Sequence, residues 1–211
     1  MRIIAISDIH GQLPAEPCPP CDLLIIAGDI CPDLRPVHRQ ATWLDMWFRP
    51  WLKNQSAKRI LGTWGNHDLI GQEGGFPEDL PWELIVDGSV VVEGKKFYLT
   101  PWVPNLAPRW AFSYPADVPP YRWPYQETDI DVFVVHGPPR GYCDDLPGYH
   151  HIGSESQLAW CQEAKPPVVI CGHNHNGRGQ ETTEWGGKLY NVASLDNNYE
   201  PFELRFTDIC L

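Results

Sequence analysis

Five short segments carry side chains able to hold cations and move protons, and each has a residue spacing that chemistry can use. Asp8-Ile9-His10 sets a carboxylate and an imidazole two positions apart, so an extended backbone directs both to the same side. Gly28-Asp29 adds a second carboxylate, and Gly65-Asn66-His67-Asp68 supplies an amide, an imidazole and a carboxylate behind a residue that relieves backbone crowding. His136-Gly137-Pro138-Pro139 fixes one imidazole ahead of a stiff turn, and Gly172-His173-Asn174-His175 repeats the two-position spacing with two imidazoles. Any one of these segments is compatible with an ordinary turn. Together, two Asp, one Asn and four His with no thiolate form a nitrogen and oxygen donor set, which suits manganese, iron, zinc, cobalt or nickel. Seven groups exceed what one ion needs but can fill two ions that share a carboxylate. Paired ions clamp the attacking and leaving oxygens of phosphoryl transfer, so the expected chemistry is metal-assisted hydrolysis of a phosphate ester.

All five segments follow predicted strands. Residues 2–7, 23–27, 59–64, 131–135 and 168–171 are apolar runs stopped by a polar or glycine-bearing turn, as buried strands are. Between residues 37 and 55, Leu44, Trp47, Phe48, Trp51 and Leu52 have helical spacing, with Pro50 required to bend or shorten the helix. Residues 83–86 and 89–93 are expected to pair as a hairpin around Asp87-Gly88, followed by a strand over 96–100. Residues 101–126, rich in Pro and Trp, read as a long loop or a short helix framed by loops. A later helix starts with Ser154 as N-cap and Gln157 at the capping-box position, and the tail reads as strands over 188–193 and 202–206. Strands alternating with helices, then strand-rich stretches, predict a layered α/β fold with mixed sheets, whose strand-end edge is where ligands bind.

Composition sets limits on this reading. The chain of 211 residues fits one domain, taken as 1–211, and its 43% hydrophobic and 20% charged content is that of a globular protein. A formal charge of −11 weighs against binding polymeric nucleic acid, which needs clustered Lys and Arg, but is compatible with a small phosphorylated substrate. Seven cysteines, an odd number, do not form a disulfide framework, and no apolar run is long enough to span a membrane. A soluble, cytoplasmic protein is expected; oligomeric state is not encoded in any feature of the sequence.

The ordered pattern Asp-x-His, Gly-Asp, Gly-Asn-His-(Asp/Glu), His before Gly, and Gly-His-x-His resembles that of the calcineurin-like metallophosphoesterases, complete from Asp8 to His175. Thr100-Pro101-Trp102-Val103-Pro104, Trp110-Ala111-Phe112, His136-Gly137-Pro138-Pro139 and His151-Ile152-Gly153-Ser154 are similar to its class III phosphodiesterase-like branch, which includes the mammalian metallophosphoesterase-domain proteins. The resemblance implies a four-layer αββα sandwich of two mixed sheets flanked by helices. It also implies one metal, manganese foremost, on Asp8, His10 and His175, a second on Asn66, His136 and His173, and Asp29 bridging. His67 would stand near the leaving-group oxygen, and His67 with Asn66 would be catalytic. The implied activity is hydrolysis of small phosphodiesters, of nucleotide or cyclic-nucleotide type, by hydroxide formed at the metal pair. A phosphomonoesterase or protein phosphatase, or a non-catalytic metal-binding scaffold, is the alternative. Asn174 departs from the pattern, which usually has an apolar or hydroxyl residue there, and its side chain is expected to point away from the ions.

Other residues leave two readings open. Arg140 and Arg178 either meet a non-bridging phosphate oxygen or remain solvated, and His151 or its neighbour His150 either faces the substrate or sits in a solvated loop. Trp102 and Trp110 either stack an aromatic group of the substrate or fill the core edge, and Cys18-Pro19-Pro20-Cys21, which has the spacing of a redox or zinc half-site but no second cysteine pair, is by default a Pro-rich loop.

Overall fold

Strands that are apolar on both faces must be covered on both faces, and that requirement determines the architecture. In the computed structural model, which describes residues 1–115, 128–148 and 151–211, two mixed sheets stack between helices. The first sheet centres on parallel β1 (Ile3–Ile6), β2 (Cys21–Ala27) and β3 (Ala57–Thr63). Its edges are β4 (Glu83–Leu84), parallel to β3, and a last strand β13 (Thr207–Ile209), antiparallel to β1. In the second sheet β6 (Lys95–Thr100), β9 (Val132–Val135), β10 (Val168–Cys171) and β12 (Lys188–Asn191) are parallel neighbours. Antiparallel β5 (Gly88–Val92) and β11 (Gly179–Thr182) close its two edges. A short parallel pair, β7 (Val103–Asn105) and β8 (Ser113–Pro115), lies apart.

Alternate residues of each strand serve different layers. Ile3, Ala5, Leu23, Ile25 and Ala27 meet Phe97, Leu99, Val132, Val134 and Ile170 between the sheets. Ile4, Ile6, Leu24 and Ile26 turn outward to Leu44, Phe48, Trp51 and Leu52 of a helical segment. That segment runs through α1 (His38–Trp43), a π-helical turn (Leu44–Phe48) and α2 (Arg49–Lys53), and α3 (Leu69–Glu73) lies on the same side. On the opposite outer face, Phe133, Val169 and Leu189 pack under Trp160 and Cys161 of α4 (Glu155–Ala164). The four layers of the αββα sandwich are thus present. No helix among the described residues is long and apolar enough to cross a membrane.

Pro50 acts as foreseen, but by widening the helix rather than ending it. The Arg49 N–H bonds to the Leu44 carbonyl, five residues back, and the extra residue in that turn accommodates a ring that would clash in a regular helix. The inserted residue also shifts the register, so Trp47, expected on the apolar face, is 60% exposed.

The structure corrects several expectations. Residues 83–86 and 89–93 do not form a hairpin about Asp87-Gly88: β4 joins β3 in the first sheet and β5 joins β6 in the second. The hairpin turn is Glu93-Gly94, with φ of 47° and 76°, the paired left-handed conformation that a two-residue turn between twisted strands demands. Residues 202–206 form no strand; pairing resumes only at Thr207. Within 101–126, β7 and β8 replace the expected loop or helix, and 116–126 fall outside the described residues, as does His150. The Ser154 cap is as read: its Oγ accepts the Gln157 N–H at 3.1 Å. Gln157 does not complete the box, since its Nε2 donates instead to the Trp102 carbonyl at 2.9 Å and ties α4 to the segment following β6. All seven cysteines are free, with the Cys18 and Cys21 sulfurs 4.0 Å apart.

Replacing Ser154 by Ala leaves the Gln157 N–H without its cap. The expected loss is about 1 kcal/mol of unfolding free energy in urea titration; an unchanged midpoint would show that the cap contributes nothing.

Candidate metal centre

Because β1, β2 and β3 are parallel, as are β9, β10 and β12, the residues that follow them share one edge of the sandwich. The two sheets are joined there: Ser7 N–H bonds to the Val192 carbonyl at 3.1 Å and Ser194 N–H to the Ser7 carbonyl at 2.9 Å. Asp8, His10, Asp29, Asn66, His136, His173 and His175 all arrive at this edge. Ligand atoms of Asp8, His10 and His175 lie within 4.8 Å of one another, and so do those of Asp29, His136 and His173. The Asp29 carboxylate stands between the groups, its Oδ2 3.7 Å from His10 Nε2 and 3.2 Å from His136 Nε2. Asn66 Oδ1 is 3.0 Å from His136 Nε2, and His175 Nε2 is 3.4 Å from Asp8 Oδ1.

Backbone contacts fix the cage. His136 Nδ1 is 2.8 Å from the Ala27 carbonyl and His175 Nδ1 2.8 Å from the Asp196 carbonyl, so both donate from Nδ1 and present Nε2 to the interior. Asp29 Oδ1 accepts the His67 N–H at 2.7 Å, and both Asp8 oxygens accept the His173 N–H. The chain must also come very close: a Cβ on Gly65 would lie 2.3 Å from Asp29 Oδ1, and one on Gly172 2.2 Å from Asp8 Oδ2. Glycine is required at both for the carboxylates to sit where they do.

Among the described residues, the ion pairs of the two buried carboxylates are with histidines. Burial opposes ionisation of Asp8 and Asp29, yet His175 and His136 hold the Asp8 carboxyl below its usual range, and His136 and His67 hold Asp29 well below. Burial likewise opposes charge on His136 and His175, but Asp29 raises the first to about 9 and Asp8 raises the second to about 9. In His136 both ring nitrogens face acceptors, so a second proton stands where a cation would satisfy the same oxygens. Burial and the His136 charge drive His173 down to about 3, leaving it neutral. The donors fit divalent metal: the set is nitrogen and oxygen, and His10 Nε2 and His173 Nε2 are buried with no hydrogen-bond partner among the described residues.

His67 is placed at the cavity beside these groups, not among the two clusters. Its Nδ1 is 2.8 Å from Asp33 Oδ1, a carboxylate the sequence reading did not single out. Against burial, Asp29 and Asp33 raise the His67 imidazole to about 9. Asp68, the last residue of its motif, is fully buried and holds two loops together: Oδ1 accepts the Ile30 and Cys31 N–H groups and Oδ2 accepts that of Gly65. Burial and the Asp29 charge push its carboxyl up. Asn174 directs its amide to the Cys143 and Asp145 carbonyls at 2.9 and 3.0 Å, and Asn191 pins the turn from the other side by bonding the Gly172 and Asn174 carbonyls.

A cavity of about 390 Å³ opens over the cage, lined by His10, Asp29, His67, His173 and His175 on the polar side and by Trp110 and Tyr199 among its aromatic groups. Arg140, Arg178 and His151 are not brought to it. The Arg178 guanidinium bonds the Ala193 and Leu204 carbonyls and lies 5.0 Å over the Phe202 ring. Arg140 pairs with Glu155 at 3.6 Å, and His151 Nδ1 with Asp144 at 2.7 Å. Trp102 donates Nε1 to Asp87 and packs on Phe112 at the core edge, whereas Trp110 faces the cavity.

Known proteins resemble this chain in sequence and fold. The profile of the calcineurin-like phosphoesterases matches residues 1–177. Human metallophosphoesterase domain-containing protein 1 is 26% identical over 232 residues, covering 95% of this chain and 68% of its own length. A protein of Emericella nidulans named "Probable rhamnogalacturonate lyase C" is 26% identical over 203 residues, which cover 88% of this chain but 18% of that protein. The fold also superposes on the crystal structure of TT1561 of Thermus thermophilus, with a TM-score of 0.56 at 15% identity, over 91% of this chain and 88% of the other. The profile match extends over most of the sequence and takes in all seven residues of the cage, and the chain belongs to the calcineurin-like phosphoesterase family.

Proposed function

We propose that the protein is a metal-dependent phosphodiesterase acting on small phosphodiesters. The observation that carries this reading is the pair of donor clusters linked through the Asp29 carboxylate, each with a histidine nitrogen that has no hydrogen-bond partner among the described residues. Asp8, His10 and His175 would hold one ion, Asn66, His136 and His173 would hold the other, and Asp29 would serve both; manganese is the first candidate, with iron, zinc, nickel or cobalt suited to the same donors. Two divalent ions, when bound, supply Lewis acidity that activates water and polarises the phosphoryl group.

The chain's own groups do the rest. Asn66 Nδ2, unpartnered among the described residues, is free to donate to a phosphoryl oxygen. His67, oriented by Asp33 through Nδ1, presents its other nitrogen to the departing alkoxide as proton donor, and the two nearby carboxylates favour the protonated form it needs. No Lys or Arg lines the cavity among the described residues. That favours a singly charged diester over a dianionic monoester or a phosphorylated protein, whose extra charge calls for guanidinium or ammonium partners.

With manganese, turnover of bis-p-nitrophenyl phosphate is expected to exceed that of p-nitrophenyl phosphate; faster monoester turnover reverses the substrate class. Inactivity across manganese, iron, nickel and zinc would leave a non-catalytic metal-binding scaffold. His67→Ala is expected to keep its metal content in elemental analysis while losing on the order of 10²–10⁴ in turnover. Depleted metal in that variant contradicts the role assigned to His67. Metal affinity carries a pH signature. His136 and His175 retain a second proton up to about 9, and binding through Nε2 must displace it. Affinity for manganese therefore rises with pH from about 6 to 8, by about tenfold per unit for each proton displaced. A dissociation constant independent of pH over that range would remove these two histidines from the ligand set.

A further inference from the structure

Asp33 does not by itself account for the orientation of His67. The two side chains meet at 2.8 Å, but that of Asp33 is 64% exposed, and an ion pair so open to water fixes little of its own geometry. The imidazole must therefore be aimed by the main chain that carries it. On one side the His67 N–H bonds to Asp29 Oδ1 at 2.7 Å, and on the other the His67 carbonyl accepts Gln40 Nε2 at 2.8 Å.

Gln40 is the one buried residue of α1, with 0% exposure. A buried amide is unfavourable unless its polar atoms are bonded, and here both ends are. Nε2 donates to the His67 carbonyl and also, at 3.1 Å, to the carbonyl of Pro32, the residue before Asp33. Oε1 accepts the Ile70 N–H at 3.0 Å in the first turn of α3, the helix that follows His67. A single side-chain nitrogen thus spans the main chain of both members of the His67–Asp33 pair. Pro32 is packed as well as bonded, since a Cβ on Gly11 would lie 2.6 Å from the Pro32 Cβ. None of the bonds made by Gln40 is to a residue of the cage.

We infer that Gln40 is a positioning residue for protonation of the leaving group: it holds the His67 and Asp33 backbones at one separation and so keeps the imidazole aimed at the departing oxygen. The inference rests on the phosphodiesterase reading through the role given there to His67. Proton donation matters most when the departing oxygen is strongly basic, so loss of Gln40 falls on turnover of such esters and not on substrate or metal binding.

Gln40→Met removes all of these bonds with little change in volume, and Gln40→Glu keeps an acceptor for Ile70 while losing the donations to His67 and Pro32. In the manganese-loaded chain each is expected to lower kcat about tenfold or more on methyl phenyl phosphate, and by a factor at least about threefold smaller on methyl p-nitrophenyl phosphate, whose leaving group is weakly basic. KM and metal content stay within about twofold of the native chain. Added to His67→Ala, neither substitution lowers kcat further. In NMR spectra of the zinc-loaded chain, the ring signals of His67, assigned by their loss in His67→Ala, shift in both variants while those of His136 and His175 stay in place. An equal loss on the two esters, a further loss in the His67→Ala background, or unmoved His67 signals overturns the inference. If the His67 signals move but the native chain turns over no diester, Gln40 still places His67 and the phosphodiesterase reading falls. If diesters are turned over and the Gln40 variants match the native chain, the inference falls alone.

Discussion

Asp8 and Asp29 are 0% and 2% exposed, and the ion pairs they make are with histidines. Removing two carboxylates from water is among the most unfavourable things a fold can do unless positive charge accompanies them. Lys or Arg would satisfy them permanently. Histidine satisfies them conditionally, because its second proton can leave and a cation can take the place it held. The distribution of protonation follows from this: His136 and His175, each in contact with a carboxylate, are pulled towards the charged form, while His173, buried beside the His136 charge, is pushed towards the neutral one.

Backbone conformation is fitted to the same requirement. Asp8, His10, Asp29 and His173 have φ of 52°, 44°, 51° and 66°, a left-handed region that costs non-glycine residues about 1 kcal/mol or more each. Such values persist only where surrounding bonds determine them. Here Asp8 N–H bonds to the Gly28 carbonyl, Ile9 and His10 N–H groups both bond to the Asp29 carbonyl, and His173 N–H bonds to the Asp8 carboxylate. Asp68 adds a second tie, linking the loop after Asp29 to the turn before Asn66. The segments after β1, β2, β3 and β10 therefore hold one another, and the strain of each is offset by bonds to the next.

This explains what the sequence revealed. The strands feeding the cage were visible because both of their faces are buried, which yields unbroken runs such as Leu23 to Ala27. β11 was not visible because all four of its residues are exposed, and nothing in their pattern distinguishes a solvent-facing edge from a loop. Asp87-Gly88 has the composition of a hairpin turn, but the choice between turning back and crossing to the other sheet depends on which sheet has a free edge, a property of the assembled fold. The seven cage residues were legible because their chemistry is local in type and spacing. Asp33 and Tyr199 were not, and Asp68 was visible as a carboxylate of its motif but not in its role, since Asp33 acts through a contact 34 positions away and Asp68 through bonds 37 and 38 positions back.

Asn174 joins these levels. It lies between two cage histidines at a position where the family pattern usually has an apolar or hydroxyl residue, and it is 1% exposed. An apolar side chain there could fill the space but could not bond. The amide reaches the Cys143 and Asp145 carbonyls, and the next residue, Leu146, belongs to the apolar cavity wall. Asn191 holds the Asn174 carbonyl from the opposite side. The turn that presents His173 and His175 is thus bonded directly to the loop that presents Leu146, so the spacing between cage and wall is set by two amide hydrogen bonds rather than by packing alone. A buried amide is a demanding way to fix that distance, since its donors must find partners, and the two carbonyls it meets leave the loop little freedom to approach or recede.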